Sequence, residues 1–232
     1  MVYTAVQAEH LGNTLDAVTP GDLKESLDYG PLLNGNAWPD SPDDLQTTCE
    51  RYFQALSELG ATMRQIFAVA LKLPKAFFDP YVSEHDSCFR AINYPEPQVT
   101  PLPGQLRAGE HTDYGCMTLL RVEDAPGGLE VRDRSGRWIL VPAMTGAFVV
   151  NIGDMMARWT NDRWVSTLHR VANPPLDRTL GTRRQSLVFF ANPKPNAVIE
   201  CIPSCTDAVH PPKYAPITAA AHIEAKEQKA RG

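Results

Sequence analysis

No apolar run in this 232-residue chain approaches the roughly 20 residues that cross a bilayer. Its first residues, Met1-Val2-Tyr3-Thr4-Ala5, have neither the basic n-region nor the apolar h-region of a secretory signal. No membrane partner is indicated, and the expected location is cytoplasmic. Basic charge is also in short supply. The 22 Lys and Arg stand against 27 Asp and Glu, a formal net charge of −5, and the cations are scattered rather than clustered, so no nucleic-acid footprint is present. Cysteine is sparse and unpaired. Cys49, Cys88, Cys116, Cys201 and Cys205 form an odd set without paired CxxC motifs, which argues against a disulfide framework and against a structural zinc site. Cys201 and Cys205 are wrongly spaced for a redox pair, with Pro203 between them, so plain reduced thiols are expected. Internal repeats and low-complexity tracts are absent. What remains is a chain long enough for one large domain that buries about 70% of its unfolded surface.

The hydrophobic pattern changes period along the chain. Ser41-Pro42-Asp43-Asp44 reads as a helix start, with an N-cap Ser, Pro at N1 and acids in the first turn. From Leu45 to about Leu73, apolar residues such as Cys49, Tyr52, Phe53, Leu56, Leu59, Met63 and Phe67 recur every three or four positions, which predicts one long amphipathic helix packed on a sheet. A second, short helix is expected from Pro74 through Phe77-Phe78. From Cys88 onward the runs are short and separated by turn residues. Strands are expected near 88–94, 105–111, 116–121, 128–133, 137–141, 146–151, 165–171, 185–192 and 197–202, and a closing helix over roughly 218–230. The expected fold is mainly β with flanking helices, around a double-stranded β-helix (jelly roll, cupin-like) core of two facing sheets. Residues 1–87 would form a helical support region, 88–203 the core, and 204–232 a C-terminal helical segment of the same domain.

The richest chemical signal is His111-Thr112-Asp113, followed by His169 and then by Arg184-Gln185-Ser186. A strand turns residues i and i+2 to one face, so His111 and Asp113 could grip one ion side by side, with His169 arriving from a neighbouring strand. Two imidazoles and a carboxylate on one face of a metal leave positions open, as in non-haem Fe(II) oxygenases. The rival is two surface histidines beside an accidental HxD. A second such pair, His222-Ile223-Glu224, lies in an Ala-, Glu- and Lys-rich stretch that reads as helix, where i and i+2 do not face each other, and is discarded.

Around these residues, Ala91-Ile92-Asn93-Tyr94-Pro95, Gly109-Glu110-His111-Thr112-Asp113-Tyr114-Gly115, Gly127-Gly128-Leu129-Glu130-Val131, Val150-Asn151-Ile152-Gly153-Asp154 and Ser166-Thr167-Leu168-His169-Arg170-Val171-Ala172-Asn173-Pro174 occur in that order. Together they resemble the Fe(II)/2-oxoglutarate-dependent oxygenases of the isopenicillin N synthase-like family, over about residues 15 to 220. The resemblance implies that His111, Asp113 and His169 hold Fe(II). It implies that 2-oxoglutarate binds with its distal carboxylate on Arg184 and Ser186, the family's RxS element, and that O2 is the other cosubstrate. A guanidinium suits a carboxylate because it makes a planar two-point contact. Arg183 faces the other way on a strand, and the match to RxS selects Arg184. The resemblance further implies that cleavage of 2-oxoglutarate to succinate and CO2 would generate a ferryl that hydroxylates, desaturates or cyclises its substrate, and a small organic molecule of secondary metabolism is the expected one.

Further positions follow from the resemblance or from parity. Many relatives read Asn-Tyr-Tyr-Pro where this chain has Asn93-Tyr94-Pro95, so Asn93 or Tyr94 would reach the cosubstrate, with packing as the alternative for Tyr94. Arg107 shares strand parity with His111 and either points inward at an acidic group of the substrate or is solvated. Phe190 shares parity with Arg184 and would line the pocket, and Asn151 and Asp154 would organise a turn behind the iron. Relatives of about 300 residues carry helices and an edge strand before the position that Met1 occupies here. The expectation is therefore a shortened N-terminal region that leaves a sheet edge open to self-association. Two other readings stand beside the oxygenase: an iron/O2 oxidase that does not use 2-oxoglutarate, and a truncated metal-binding relative without turnover.

Overall fold

The computed structural model describes residues 1–15, 18–33, 38–97, 99–175, 177 and 180–230. In chain order the strands are β1 (Val2–Thr4), β2 (Glu25–Tyr29), β3 (Cys88–Tyr94), β4 (Ala108–His111), β5 (Met117–Val122), β6 (Gly128–Arg132), β7 (Trp138–Leu140), β8 (Val149–Ile152), β9 (His169–Ala172), β10 (Arg184–Ala191), β11 (Val198–Ile199) and β12 (Ile217–Thr218). The helices are α1 (Leu45–Ala70), α2 (Asp154–Trp159) and α3 (Ala219–Ala230). One antiparallel sheet runs β1-β2-β3-β10-β5-β8 and the other β4-β9-β6-β7. Together they form a jelly roll, the expected architecture.

Strand alternation divides the larger sheet into a greasy face and a chemical face. On β10, Leu187, Phe189 and Ala191 point one way and join Phe89, Met117 and Leu119 beneath Cys49, Phe53 and Leu56 of α1. The Phe53 and Phe189 rings meet edge-on at 5.3 Å, an aromatic pair that adds about 0.5–1.5 kcal/mol to simple burial. The alternate residues Arg184, Ser186 and Val188 are buried on the opposite face, and register sets Arg184 against Tyr94 and Ser186 against both Ile92 and Val122. A one-residue slip would exchange the two faces. A second apolar cluster, with Ala68, Leu71, Phe78, Met155, Met156, Trp159 and Ile199, locks the end of α1 to α2 and the C-terminal segment.

The structure corrects several local expectations. Helix α1 starts at Leu45 with Asp44 at its N-cap and no side-chain capping bond; the Ser41–Pro42 peptide is cis, and neither residue caps the helix. The stretch after Pro74 is turns followed by a 3₁₀ turn over Asp79–Tyr81 rather than an α-helix. The N-terminal region is not purely a helical support, because β1 and β2 extend the larger sheet through β2–β3 pairing, Glu25↔Asn93 to Tyr29↔Phe89. Asp22 fixes this segment to the smaller sheet by accepting from the backbone N–H of Gly109 at 2.9 Å and of Leu11 at 3.4 Å. Helix α2 has no counterpart among the expected elements. Its short Asp-Met-Met-Ala-Arg-Trp sequence offers less than two turns of periodicity, too little to separate helix from loop.

Candidate active site

The two imidazoles face each other across the β4–β9 ladder, where His111 and His169 are register partners with ring centroids 4.3 Å apart. Each is oriented by its own backbone. The Nδ1 of His111 lies 2.7 Å from the carbonyl of Gly109 and that of His169 lies 2.9 Å from the carbonyl of Thr167. A carbonyl can only accept, so Nδ1 carries the proton and Nε2 is left with its lone pair toward the site. Asp113 reaches the same point, but not as the strand neighbour that i, i+2 spacing suggested. Strand β4 ends at His111, and the carboxylate arrives from the following turn. Its Oδ1 is 3.6 Å from His169 Nε2 and 4.0 Å from His111 Nε2, and one ligand atom from each of the three residues falls within 4.8 Å of the others.

The turn that delivers Asp113 is pinned at several points. Its Oδ2 accepts from the Thr118 hydroxyl and from Asn151 Nδ2 at 2.6 Å, leaving Oδ1 for the imidazoles. Thr118 and Asn151 are themselves cross-strand partners on β5 and β8. The backbone N–H of Asp154 donates to the Asp113 carbonyl at 2.7 Å, and the Asp154 side chain accepts from Thr112 Oγ1 at 3.0 Å. Gly153 makes this approach possible, since a Cβ there would lie 2.2 Å from the Gly115 carbonyl oxygen. Asn151 and Asp154 thus do more than shape a turn. They hold the carboxylate of the triad and its loop, and Thr118 shares that task although the sequence reading did not single it out. The only sequence signal for Thr118 is its position inside the β5 run.

Electrostatics suit a cation. Burial first, and then the nearby His169, push the His111 imidazole down to about 3, so it is neutral and available as a ligand. Burial alone would raise the Asp113 carboxyl, but the two imidazoles and the Thr118 hydroxyl outweigh it and hold the group well below the usual carboxylate range. Burial opposes protonation of His169 too, yet the Asp113 carboxylate outweighs that and raises it. An anionic oxygen between two imidazole nitrogens, oriented by an outer ring of hydrogen bonds, is a donor set that fits Fe(II).

On the face of the larger sheet turned away from α1, Arg184 is 2% exposed and Tyr94 3%, and the guanidinium carbon stands 5.3 Å from the Tyr94 ring centroid. The Tyr94 hydroxyl has Ser186 and Arg184 as polar neighbours, and Arg184 Nη1 is buried with no hydrogen-bond partner. Such an orphaned, buried cation fits the distal carboxylate of a dicarboxylic cosubstrate. Asn93 is not part of the group. Its Nδ2 donates to Glu25 at 2.8 Å, and strand parity puts it on the other face from Tyr94 and Arg184. Phe190 shares the inner face, with the Arg90 guanidinium 5.9 Å from its ring. Arg107 is not solvated, being 1% exposed, and its guanidinium lies 6.0 Å from the Tyr94 ring, at the Arg184 end of the site. His222 is likewise no ligand. It sits on α3, with Nε2 3.1 Å from the Tyr114 carbonyl.

Residues 85–193 match the model of the 2OG-Fe(II) oxygenase superfamily. The chain is 36% identical over 214 residues to the 2-oxoglutarate-Fe(II) type oxidoreductase hxnY of Emericella nidulans, covering 90% of this chain and 58% of that protein. It is 34% identical over 203 residues to the proline hydroxylase buaE of Petromyces alliaceus, covering 83% and 63%. The structure superposes on that of a full-length Neurospora crassa protein in complex with alpha-KG and thymine with a TM-score of 0.83 at 32% identity, covering 97% of this chain and 73% of that one. The chain spans 58–60% of the length of the first curated relatives it matches.

Proposed function

The chain belongs to the 2OG-Fe(II) oxygenase superfamily, and from that premise we propose that it oxidises an aliphatic C–H of a small organic molecule at the expense of O2 and 2-oxoglutarate. The observation that carries this reading is the convergence of His111, Asp113 and His169, ligand atoms within 4.8 Å of one another, in a protein whose other sheet buries the Arg184 guanidinium with an unpartnered nitrogen. Fe(II), when bound, supplies the activation of O2 that ends in succinate, CO2 and a hydroxylated, desaturated or cyclised product. The protein's own residues do the rest. His111 and His169 present Nε2 because their Nδ1 protons are committed to Gly109 and Thr167. Thr118 and Asn151 aim Asp113 Oδ1 at the metal position. Arg184, with the Ser186 and Tyr94 hydroxyls, holds the distal carboxylate of the cosubstrate.

An oxidase without 2-oxoglutarate would keep the triad, and its substrate's own carboxylate could take Arg184, so Arg184 favours the cosubstrate only in part and succinate formation during turnover separates the two. The substrate is proposed as small because that is the scale named for the relatives, a thymine complex for the Neurospora crassa protein and a proline hydroxylase in Petromyces alliaceus. Among the described residues no helix is long and apolar enough to cross a membrane. The five free cysteines fit the reducing cytoplasm we propose as its location. Strand β1, an outer strand of the larger sheet with Tyr3 62% exposed, is where self-association would occur, and size-exclusion chromatography measures it.

Anaerobic titration with Fe(II) and then 2-oxoglutarate tests the function directly. A visible iron-to-ligand charge-transfer band should appear, and should be lost in His111→Ala. Iron binding without the band would leave an oxidase that does not use 2-oxoglutarate, and failure to bind iron would leave a relative without turnover.

A further inference from the structure

Arg107 is one of the most deeply buried side chains in the protein, 1% exposed, and the proposed function gives it no role. A buried guanidinium is costly unless its hydrogen bonds and its charge are both met. Backbone meets the two terminal nitrogens, while Nε is buried without a hydrogen-bond partner. Nη1 donates to the Pro126 carbonyl at 3.0 Å, and Nη2 donates to the carbonyls of Pro95, at 3.4 Å, and of Thr182. These carbonyls come from three separate segments: the loop after β3, the β5–β6 loop, and the stretch that leads into β10.

The charge is not met. Among the described residues no carboxylate forms an ion pair with Arg107, and none does with Arg184. The two guanidiniums stand against the same ring, their central carbons 6.0 Å and 5.3 Å from the Tyr94 centroid. Burial first, and then the Arg184 charge, lower the pKa of Arg107, the sign expected of two cations forced together. Pro126 and Arg184 also share the wall of one cavity of about 450 Å³, with Val122, Leu129 and Leu140. A fold that buries two like charges against one aromatic ring, and fastens one of them with three backbone carbonyls, is built to receive an anion there.

Resting on the proposed function, we infer that the receptacle for the distal carboxylate of 2-oxoglutarate is a two-guanidinium site, with Arg184 in contact and Arg107 supplying the second positive charge. The three carbonyls hold that charge in place. Arg107 therefore acts on the cosubstrate and not on an acidic group of the organic substrate, because its terminal N–H donors are committed to carbonyls at the Arg184 end of the barrel. In low-dielectric surroundings a second charge at this range sets the preference of the site for a dicarboxylate over a monocarboxylate.

The test is anaerobic calorimetric titration of the Fe(II)-loaded protein with 2-oxoglutarate and with 2-oxobutyrate, which shares the 2-oxo acid head but lacks the distal carboxylate. In Arg107→Met, which keeps the stem but not the charge, 2-oxoglutarate should bind about ten-fold more weakly, with 2-oxobutyrate and Fe(II) affinities unchanged. Equal weakening of both oxo acids, or no change in either, would reduce Arg107 to a structural tether and overturn the inference. If Arg107→Met does not fold, Arg107→Lys decides: retained charge should preserve the preference for 2-oxoglutarate to within a few-fold, and its loss overturns the inference. Arg184→Gln is the control that separates this inference from its premise. Wild-type protein that binds 2-oxoglutarate and loses it in Arg184→Gln, but not in Arg107→Met, would leave the proposed function standing and sink this inference alone. Wild-type protein that binds no 2-oxoglutarate would sink both.

Discussion

Two arginines on neighbouring strands of the same sheet, Arg90 and Arg184, differ in how their charge is met. Arg90 is matched by the chain itself. Its Nε and Nη2 grip Asp28 at 2.6 Å and 2.9 Å, its Nη1 reaches Glu9 at 3.1 Å, and Lys24 closes the cluster on Glu9. Arg184 has no carboxylate partner among the described residues, and one of its nitrogens is unsatisfied. The first cation holds the N-terminal segment against β2 and β3 and is finished when folding is finished. The second is left incomplete by folding, at a cost in stability that a bound anion offsets. Where a chain could have supplied a counter-ion and did not, the missing partner points to a ligand.

Substitution should separate the two. Asp28→Ala, which strips Arg90 of its bidentate partner, should cost about 3–5 kcal/mol of unfolding free energy, read from denaturant melts. If it costs less than about 1 kcal/mol, the size of an exposed pair, Arg90 is not the structural cation described here. Arg184→Gln should behave in the opposite way. Unfolding free energy of the ligand-free protein should hold or rise, since an unpaired buried charge is removed, while 2-oxoglutarate affinity falls about a hundred-fold, the loss of a charge-assisted two-point contact. A large stability loss with unaltered affinity would reverse the assignment. A smaller effect is expected behind the metal position. Asn151→Ala, which frees Asp113 Oδ2 from one of its two donors, should weaken Fe(II) binding by about 10- to 100-fold, measured by competition with a chelator, and should leave unfolding nearly unchanged.

The smallest effect at neutral pH is the acid dependence of the Arg90 cluster. Burial alone would raise the Glu9 carboxyl, but Arg90 and Lys24 outweigh it and bring it from 4.5 down to about 2. A depressed carboxyl contributes stability in full above its unfolded value, and that contribution is lost as pH falls from about 4.5 toward about 2. Stability followed over that window should therefore drop less steeply in Glu9→Gln than in the wild type. Identical slopes would show that Glu9 is not the titrating partner.

The candidate triad was legible in the sequence from residue type together with the ordered motifs that carry the family resemblance, and Arg184 and Ser186, two apart on β10, from the match to that family's RxS element. The long helix α1 and the strand β3 were legible because their apolar periods run for many residues. Of Asn93 and Tyr94, the two residues expected near the cosubstrate, only Tyr94 shares a face with Arg184, because adjacent strand residues face opposite sides and only register shows which side Tyr94 takes. Thr118 and the Arg90 cluster stayed hidden because their partners lie beyond the reach of a local pattern: Thr118 needs the Asp113 turn folded back onto β5, and Arg90 needs Glu9 and Asp28 from the N-terminal segment.

By itself, the sequence determined the double-sheet architecture, the family, the candidate triad and the arginine beside it, since these follow from local period, residue chemistry and motif order. Only the tertiary structure decided which hydrogen bonds orient the triad, which buried cations are paired, and that Arg107 stands with Arg184 rather than in solvent. Those are properties of contacts between segments distant along the chain, and a linear pattern carries no measure of the distance between two side chains until the sheets have closed around them.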